Sequence, residues 1–243
     1  MLSSNHLEIL PSGLSFKMIY VEGGGFIMGG TDEEAEDREK PIHKVSLGSF
    51  YLGQYPVTQA LWEIVMKTNP SEFEGETNPV ETVSWEDSQI FLQKLNQLTG
   101  KSYRLPTEAE WEFAARGGIQ SEGYLYSGSD KLKEAGWYGG NSNGQTQPVG
   151  QKLSNELGLF DMSGNVYEWC QDWYGENYYQ HCADQELVKN PQGPEKGSDR
   201  VLRGGSWDDG ARYCRVSYRY DRRPGDRYDF VGFRLALSLQ SGG

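Results

Sequence analysis

Gly158-Leu-Phe-Asp-Met-Ser-Gly-Asn-Val-Tyr-Glu-Trp169 carries more structural signal than any other stretch of this chain. Gly164-Asn165 is a turn signal, and Glu168-Trp169 reads as the start of a strand with a buried indole. Asp161, the carbonyls of Gly164 and Val166, and Glu168 follow one another at spacings of three, two and two. Two carboxylates with backbone carbonyls between them in a tight turn are what a hard cation such as Ca²⁺ accepts. A plain turn leading into a strand accounts for the same residues equally well.

Downstream, Arg200-Val-Leu-Arg-Gly-Gly-Ser-Trp207 and Val231-Gly-Phe-Arg-Leu-Ala236 are apolar, glycine-punctuated flanks around a middle of another character. Between Trp207 and Phe230 stand four Tyr, six Arg and five Asp. That is too polar for a core strand and too aromatic for a flexible linker. Tyr and Arg combine contact area with directional hydrogen bonds, so they carry much of the binding energy at interfaces. A charge-laced solvated loop is the plainer reading. A binding surface held between two strands accounts for the aromatics as well, and is the reading adopted.

Upstream, residues 1–13 read as a poorly ordered lead-in. Phe16–Val21 and Phe26–Gly30 read as strands across a glycine turn, and Val45–Leu52 as another that stops before Pro56. Asp32 to Lys40 (DEEAEDREK) reads as a solvated charged loop, with a metal site the lesser alternative. Thr58 caps a helix carrying Leu61, Trp62, Val65 and Met66. Ser84 opens a second helix, with a buried stripe of Phe91, Leu95 and Leu98 and a stop at Gly100. Thr107 and Glu110 form a capping box for a short helix bearing Trp111, Ala114 and Ala115. The rest is loop-rich.

Composition narrows the class. A net charge of −12 argues against a nucleic-acid partner, since phosphates demand a basic face. Only 36% of residues are hydrophobic and 31 are Gly, so turns outnumber long regular elements. Three cysteines (170, 182 and 214) are too few and too odd in number for a disulfide scaffold. No stretch approaches the roughly 20 apolar residues of a membrane span. The first residues lack the basic start and apolar run of a signal peptide, so a cytoplasmic location is expected.

Gly24-Gly-Phe-Ile-Met-Gly, Pro56-Val-Thr, Pro79-Val-Glu-Thr-Val-Ser-Trp, Arg104-Leu-Pro-Thr-Glu-Ala-Glu-Trp-Glu, the 158–169 stretch, Arg203-Gly-Gly-Ser-Trp and Val231-Gly-Phe-Arg stand in this order. Together they resemble the signature blocks of the formylglycine-generating enzyme (sulfatase-modifying factor) family, over nearly the whole chain. The resemblance implies an α+β, C-type-lectin-like fold: few helices, short antiparallel strands and much irregular structure. It implies one domain over 14–238. It also places a structural Ca²⁺ site on Asp161, Gly164, Val166 and Glu168. A second ion is not expected, because Asn141–Gly150 is short.

The family's enzymes bind copper(I) with two cysteines five residues apart. Here the second falls on Cys214, but the first falls on Asp209. A carboxylate is a poor ligand for a soft cation, so neither copper nor catalysis is expected. The resemblance extends to a non-enzymatic branch, the variable proteins of diversity-generating retroelements, in which adenine-derived codon changes diversify a C-terminal surface. Asp208, Asp209, Gly210, Tyr213, Tyr218, Tyr220, Asp221, Arg222, Arg223, Asp226, Tyr228, Asp229 and Phe230 all hold residues reachable from an Asn codon in that way. With Trp207 they make up the expected ligand-binding set. The ligand would be a protein, peptide or glycan. The competing readings are an accessory protein with a fixed partner and an oxidoreductase with an altered active site.

Overall fold

The computed structural model describes residues 4–239. Its strands are β1 His6–Ile9, β2 Ser15–Val21, β3 Gly24–Met28, β4 His43–Leu47, β5 Phe50–Gly53, β6 Tyr103–Arg104, β7 Tyr167–Trp173, β8 Val188–Lys189, β9 Arg200–Arg203, β10 Arg219–Arg222, β11 Val231–Gly232 and β12 Ala236–Ser238. The helices are α1 Gln59–Met66, α2 Trp85–Thr99, α3 Glu108–Ala115, α4 Leu132–Ala135 and α5 Tyr178–Ala183. Three sheets result, ordered β1-β2-β5-β12-β6, β10-β9-β7-β11 and β3-β4-β8. All pairings are antiparallel except β7 with β11 and β4 with β8. From β9 onward the chain therefore feeds two sheets: β9 and β11 flank β7, β10 adds to the far side of β9, and β12 inserts between β5 and β6.

The helix starts follow their caps. The Thr58 hydroxyl accepts the Leu61 amide, and the Ser84–Asp87 and Thr107–Glu110 boxes are both closed. Gly100 ends α2 in the left-handed region, at φ 69°. Trp62 of α1 stacks on Phe91 of α2 at 5.3 Å, and Phe233 sets its edge against both rings. This aromatic cluster joins the helices to the strand that carries the chain into β12.

Three expectations change. Residues 6–9, read as part of an irregular lead-in, form β1 along β2; residues 1–3 lie outside the described residues. The strand expected over 45–52 is two, β4 and β5, in different sheets. They part at Gly48-Ser49, where the chain passes so close to Gly23 that a Cβ there would lie 2.5 Å from the Leu47 carbonyl oxygen. In α2 the stripe is Phe91, Leu92 and Leu95, while Leu98 is 47% exposed. The reason is length: α2 has 15 residues and its partner α1 only 8, which leaves the last turn uncovered.

Every residue of α3 is buried, although three are glutamates. Glu108 receives Arg219 at 2.5 and 2.8 Å, and Glu112 pairs with Arg203 and accepts the Gly29 amide. Glu110 takes Arg104 through both oxygens at 2.6 and 2.7 Å. Among the described residues Asp172 of β7 has no such partner and accepts only the Glu108 amide, at 2.9 Å. Burial, with the nearby Glu108 charge, raises its pKa to about 8.

An unfolded Asp titrates near 3.9, so the folded chain holds this proton up to a higher pH than the unfolded chain does. The resulting stability is fully present below about pH 4 and is lost as pH rises to about 8. Asp172→Asn is expected to remove that loss. Urea denaturation of the two proteins at pH 4.5 and 8 should show the variant gaining on the parent as pH rises.

Candidate functional site

The segment after β9 is held at both ends. Gly204 and Gly205 have φ of 101° and 70°, and a Cβ on Gly205 would lie 2.6 Å from the Cys214 sulfur. Only glycine lets the chain double back there, over the 3-10 turn Ala211–Cys214. The Trp207 amide donates to the Asn165 carbonyl at 2.9 Å, and its indole N–H to the Asp229 carbonyl at 3.0 Å. The first and last parts of the 207–230 stretch are thereby pinned to each other and to the 158–166 turn. Gly164, at φ 86°, brings that turn against Trp137, whose carbonyl oxygen would lie 2.1 Å from a Cβ there.

Beneath the segment lies a charged clamp. Arg215 is fully buried and meets Glu39 at 2.8 and 2.7 Å and Asp32 at 2.9 Å. Arg212 pairs with Glu36, and Arg38 with Asp221 at 3.2 Å. Arg219 donates to the Arg38 carbonyl as well as to Glu108. The acidic run at 32–40 is thus not the free, solvated loop that its composition suggests: the arginines of the distant segment neutralise it. Burial opposes ionisation of Glu39, yet Arg215 and the Glu36 amide hold its carboxyl below the usual carboxylate range.

Above the clamp is a cavity of about 320 Å³. Tyr213, Tyr218, Tyr220 and Phe230 form its aromatic wall, with Asp208 and Asp209 also lining it. Tyr167 of β7 stacks on Tyr220 at 5.3 Å, and Tyr213 meets Tyr218 edge-on at 5.1 Å. Asp209 accepts the Ser206 hydroxyl. Burial and the neighbouring Asp208 charge raise its pKa.

Six of the fourteen residues singled out from the sequence therefore share one cavity. The others surround it. Trp207 and Asp229 form the tie described above, with Trp207 edge-on to Phe73 at 5.1 Å. Tyr228 stacks on Phe230 at 4.9 Å, and Arg222 lies over Tyr220 at 4.2 Å. Asp221 faces a separate depression with Glu36, Asp37 and Tyr174. Gly210 and Arg223 are exposed and Asp226 is half-buried, all outside the cavity. Sequence reasoning missed Tyr167 and Ser206, which also line it. Tyr167 sits in a strand whose first four residues are all buried, so no alternation marks it as site-facing.

At the positions where the family resemblance places copper ligands stand Asp209 and a fully buried Cys214. Burial, reinforced by the Asp209 charge, pushes that thiol well up, so it stays protonated at neutral pH. A protonated thiol beside a carboxylate does not fit copper(I). Cys170 and Cys182 are free and buried elsewhere.

The expected calcium set also has prior engagements. Glu168 receives Arg234 at 2.6 and 2.7 Å and the Trp111 indole at 2.7 Å. Asp161 accepts the Gly150 amide at 2.7 Å and Asn165 at 3.4 Å, and burial raises its pKa to about 6. With Glu168 already neutralised by a guanidinium, these donors fit a shared Ca²⁺ poorly. Arg234 also donates to the carbonyls of Gly53 and Phe160, so it joins the 158–166 turn, β5 and β7.

Among the described residues no helix is long and apolar enough to cross a membrane. The structure of Treponema denticola variable protein 1 superposes with a TM-score of 0.88 and 32% identity, covering 98% of this chain and 100% of that one. The serine/threonine-protein kinase pkn1 of Chlamydia caviae is 33% identical over 255 residues; the match covers 96% of this chain but only 40% of the length of that protein. The formylglycine-generating enzyme of Thermomonospora curvata is 28% identical, with 93% of this chain and 95% of the enzyme covered. The chain has the α+β, C-type-lectin-like architecture that its solved structural neighbours share. Residues 11–239 match the sulfatase-modifying factor enzyme 1-like domain, and the chain belongs to that family.

Proposed function

We propose that this chain is a non-catalytic binding protein that presents residues 207–230 to a protein, peptide or glycan ligand, as a variable protein of a diversity-generating retroelement. One observation carries the proposal: the side chains that line the cavity are not those that hold the segment in place. Arg212, Arg215 and Arg219 point their charge into the clamp, whereas Asp208, Asp209, Tyr213, Tyr220 and Phe230 line the cavity. A surface arranged in this way can be rewritten without rewriting the fold. The likeness to Treponema denticola variable protein 1 supports the same reading. The buried, protonated Cys214 and the carboxylate at Asp209 favour binding over the oxygen chemistry of the enzymes.

Within this reading the ligand meets amphipathic rings on a preordered frame, so little ordering entropy is lost on binding. Asp208→Tyr, Tyr213→Ser and Arg223→Asp are each expected to change stability by less than about 1 kcal/mol while altering ligand choice. Arg215→Leu leaves Glu39 buried without a counter-charge and is expected to cost about 3–5 kcal/mol. Denaturant unfolding of the four variants reads both effects; equal losses at surface and clamp positions would remove the basis of the proposal.

Sequencing this gene from many cells of the source strain tests the diversification. Substitutions confined to adenine-derived positions in codons 207–230, with a near-copy repeat and a reverse transcriptase gene nearby, are the expected result. An invariant stretch leaves a fixed-partner protein. Oxygen uptake by the copper-treated protein with a thiol peptide is expected to stay at background; turnover would restore the oxidoreductase reading.

A further inference from the structure

We propose that the cavity beneath residues 207–230 is a cation host that takes a lysine or arginine side chain of a protein ligand. The inference rests on the binding-surface reading above and names the chemistry of its central contact.

The cavity combines two kinds of acceptor for positive charge. Its wall carries five aromatic rings, those of Tyr167, Tyr213, Tyr218, Tyr220 and Phe230. Ring faces attract a cation through their quadrupole, and the attraction grows when the site is desolvated. Three of these rings already attract guanidinium groups: Arg212 lies 5.0 Å from the Tyr213 centroid, Arg215 5.9 Å from that of Tyr218 and Arg222 4.2 Å from that of Tyr220. None of the three arginines lines the cavity, and no basic side chain does among the described residues.

The second acceptor is the pair of carboxylates. Asp208 is exposed and accepts no hydrogen bond among the described residues, and it forms no ion pair there. Asp209, its neighbour, is bound only to neutral partners around Ser206. Buried carboxylates elsewhere are met in two ways: Glu39, Glu108 and Glu112 each have an arginine, whereas Asp161 and Asp172 have only neutral donors among the described residues. At the cavity, no lysine or arginine of the described residues meets Asp208 or Asp209. Burial and the neighbouring Asp208 charge raise the Asp209 pKa, and an incoming cation would offset both by supplying the opposite charge. The volume, about 320 Å³, suits one extended side chain entering between the rings.

Capped Gly-Xaa-Gly peptides with Xaa as Lys, Arg, Leu or Glu, together with choline, are titrated into the full chain. Amide shifts in two-dimensional NMR report both affinity and location. The Lys or Arg peptide is expected to bind at least about tenfold more tightly than Leu or Glu, with shifts centred on 206–213 and 218–220. Asp208→Asn and Tyr213→Leu should each weaken that binding by about tenfold. Asp208 is exposed, so its variant tests the charge without risk to the fold.

Preference for the Leu or Glu peptide at the same amides would overturn the cation reading and leave the surface standing as a binding site. Cation binding that ignores both substitutions, or that shifts amides elsewhere, would overturn it too. Choline binding tenfold tighter than the Lys and Arg peptides would overturn the side-chain source in favour of a free organic cation. No response to the Lys and Arg peptides would also overturn it, while diversification of the surface is still read from the gene.

Discussion

A guanidinium taken out of water must be met by a carboxylate and by carbonyls, because an unpaired buried charge costs several kcal/mol. Arg203, Arg215, Arg219 and Arg234 are all fully buried in this chain, and most of its architecture follows from satisfying them. Arg203 and Arg219 draw α3 under the four-stranded sheet through Glu112 and Glu108. Arg234 draws the 158–166 turn, β5 and β7 to one point through Glu168 and two carbonyls. Arg215 draws in the 32–39 loop from the other end of the sequence. Each partner is distant along the chain, so these pairs specify which parts of the chain meet.

The same pairs explain how a stretch with little regular structure can be rigid. Between Trp207 and Phe230 only one four-residue strand and one 3-10 turn form. Hydrogen bonds of secondary structure are too few there to order the segment. The ordering comes from arginine side chains directed inward and from the tie between Trp207 and Asp229. Tyrosines and aspartates at intervening positions are left to line the cavity. The division between inward arginines and cavity-facing residues is a property of the turn geometry that Gly204 and Gly205 permit, since residue type alone would send arginine to solvent.

Much of the frame was legible in advance. The helix starts at Thr58, Ser84 and Thr107 were readable because a cap is a local hydrogen bond between residues three apart. The strand at Glu168-Trp169 was readable from residue type and from motif order, and the surplus of Tyr, Arg and Asp after Trp207 marked a stretch of which six candidate residues line one cavity. The acidic run at 32–40 was misread, because its arginine partners lie about 180 residues away and nothing local announces them. Leu98 was misread because a periodic stripe does not reveal how long the neighbouring helix is. Tyr167 and Ser206 were missed because the cavity recruits them from β7 and the end of β9.

The sequence by itself determined the three helix starts and the family, because caps, turn glycines and ordered motifs are local and survive inspection one stretch at a time. It also marked out 207–230 by its surplus of Tyr, Arg and Asp. Only the tertiary structure decided which of those residues anchor the segment and which line the cavity. That division depends on burial and charge matching across long chain separations, and the same Arg is a surface contact in water but an anchor beside a buried glutamate.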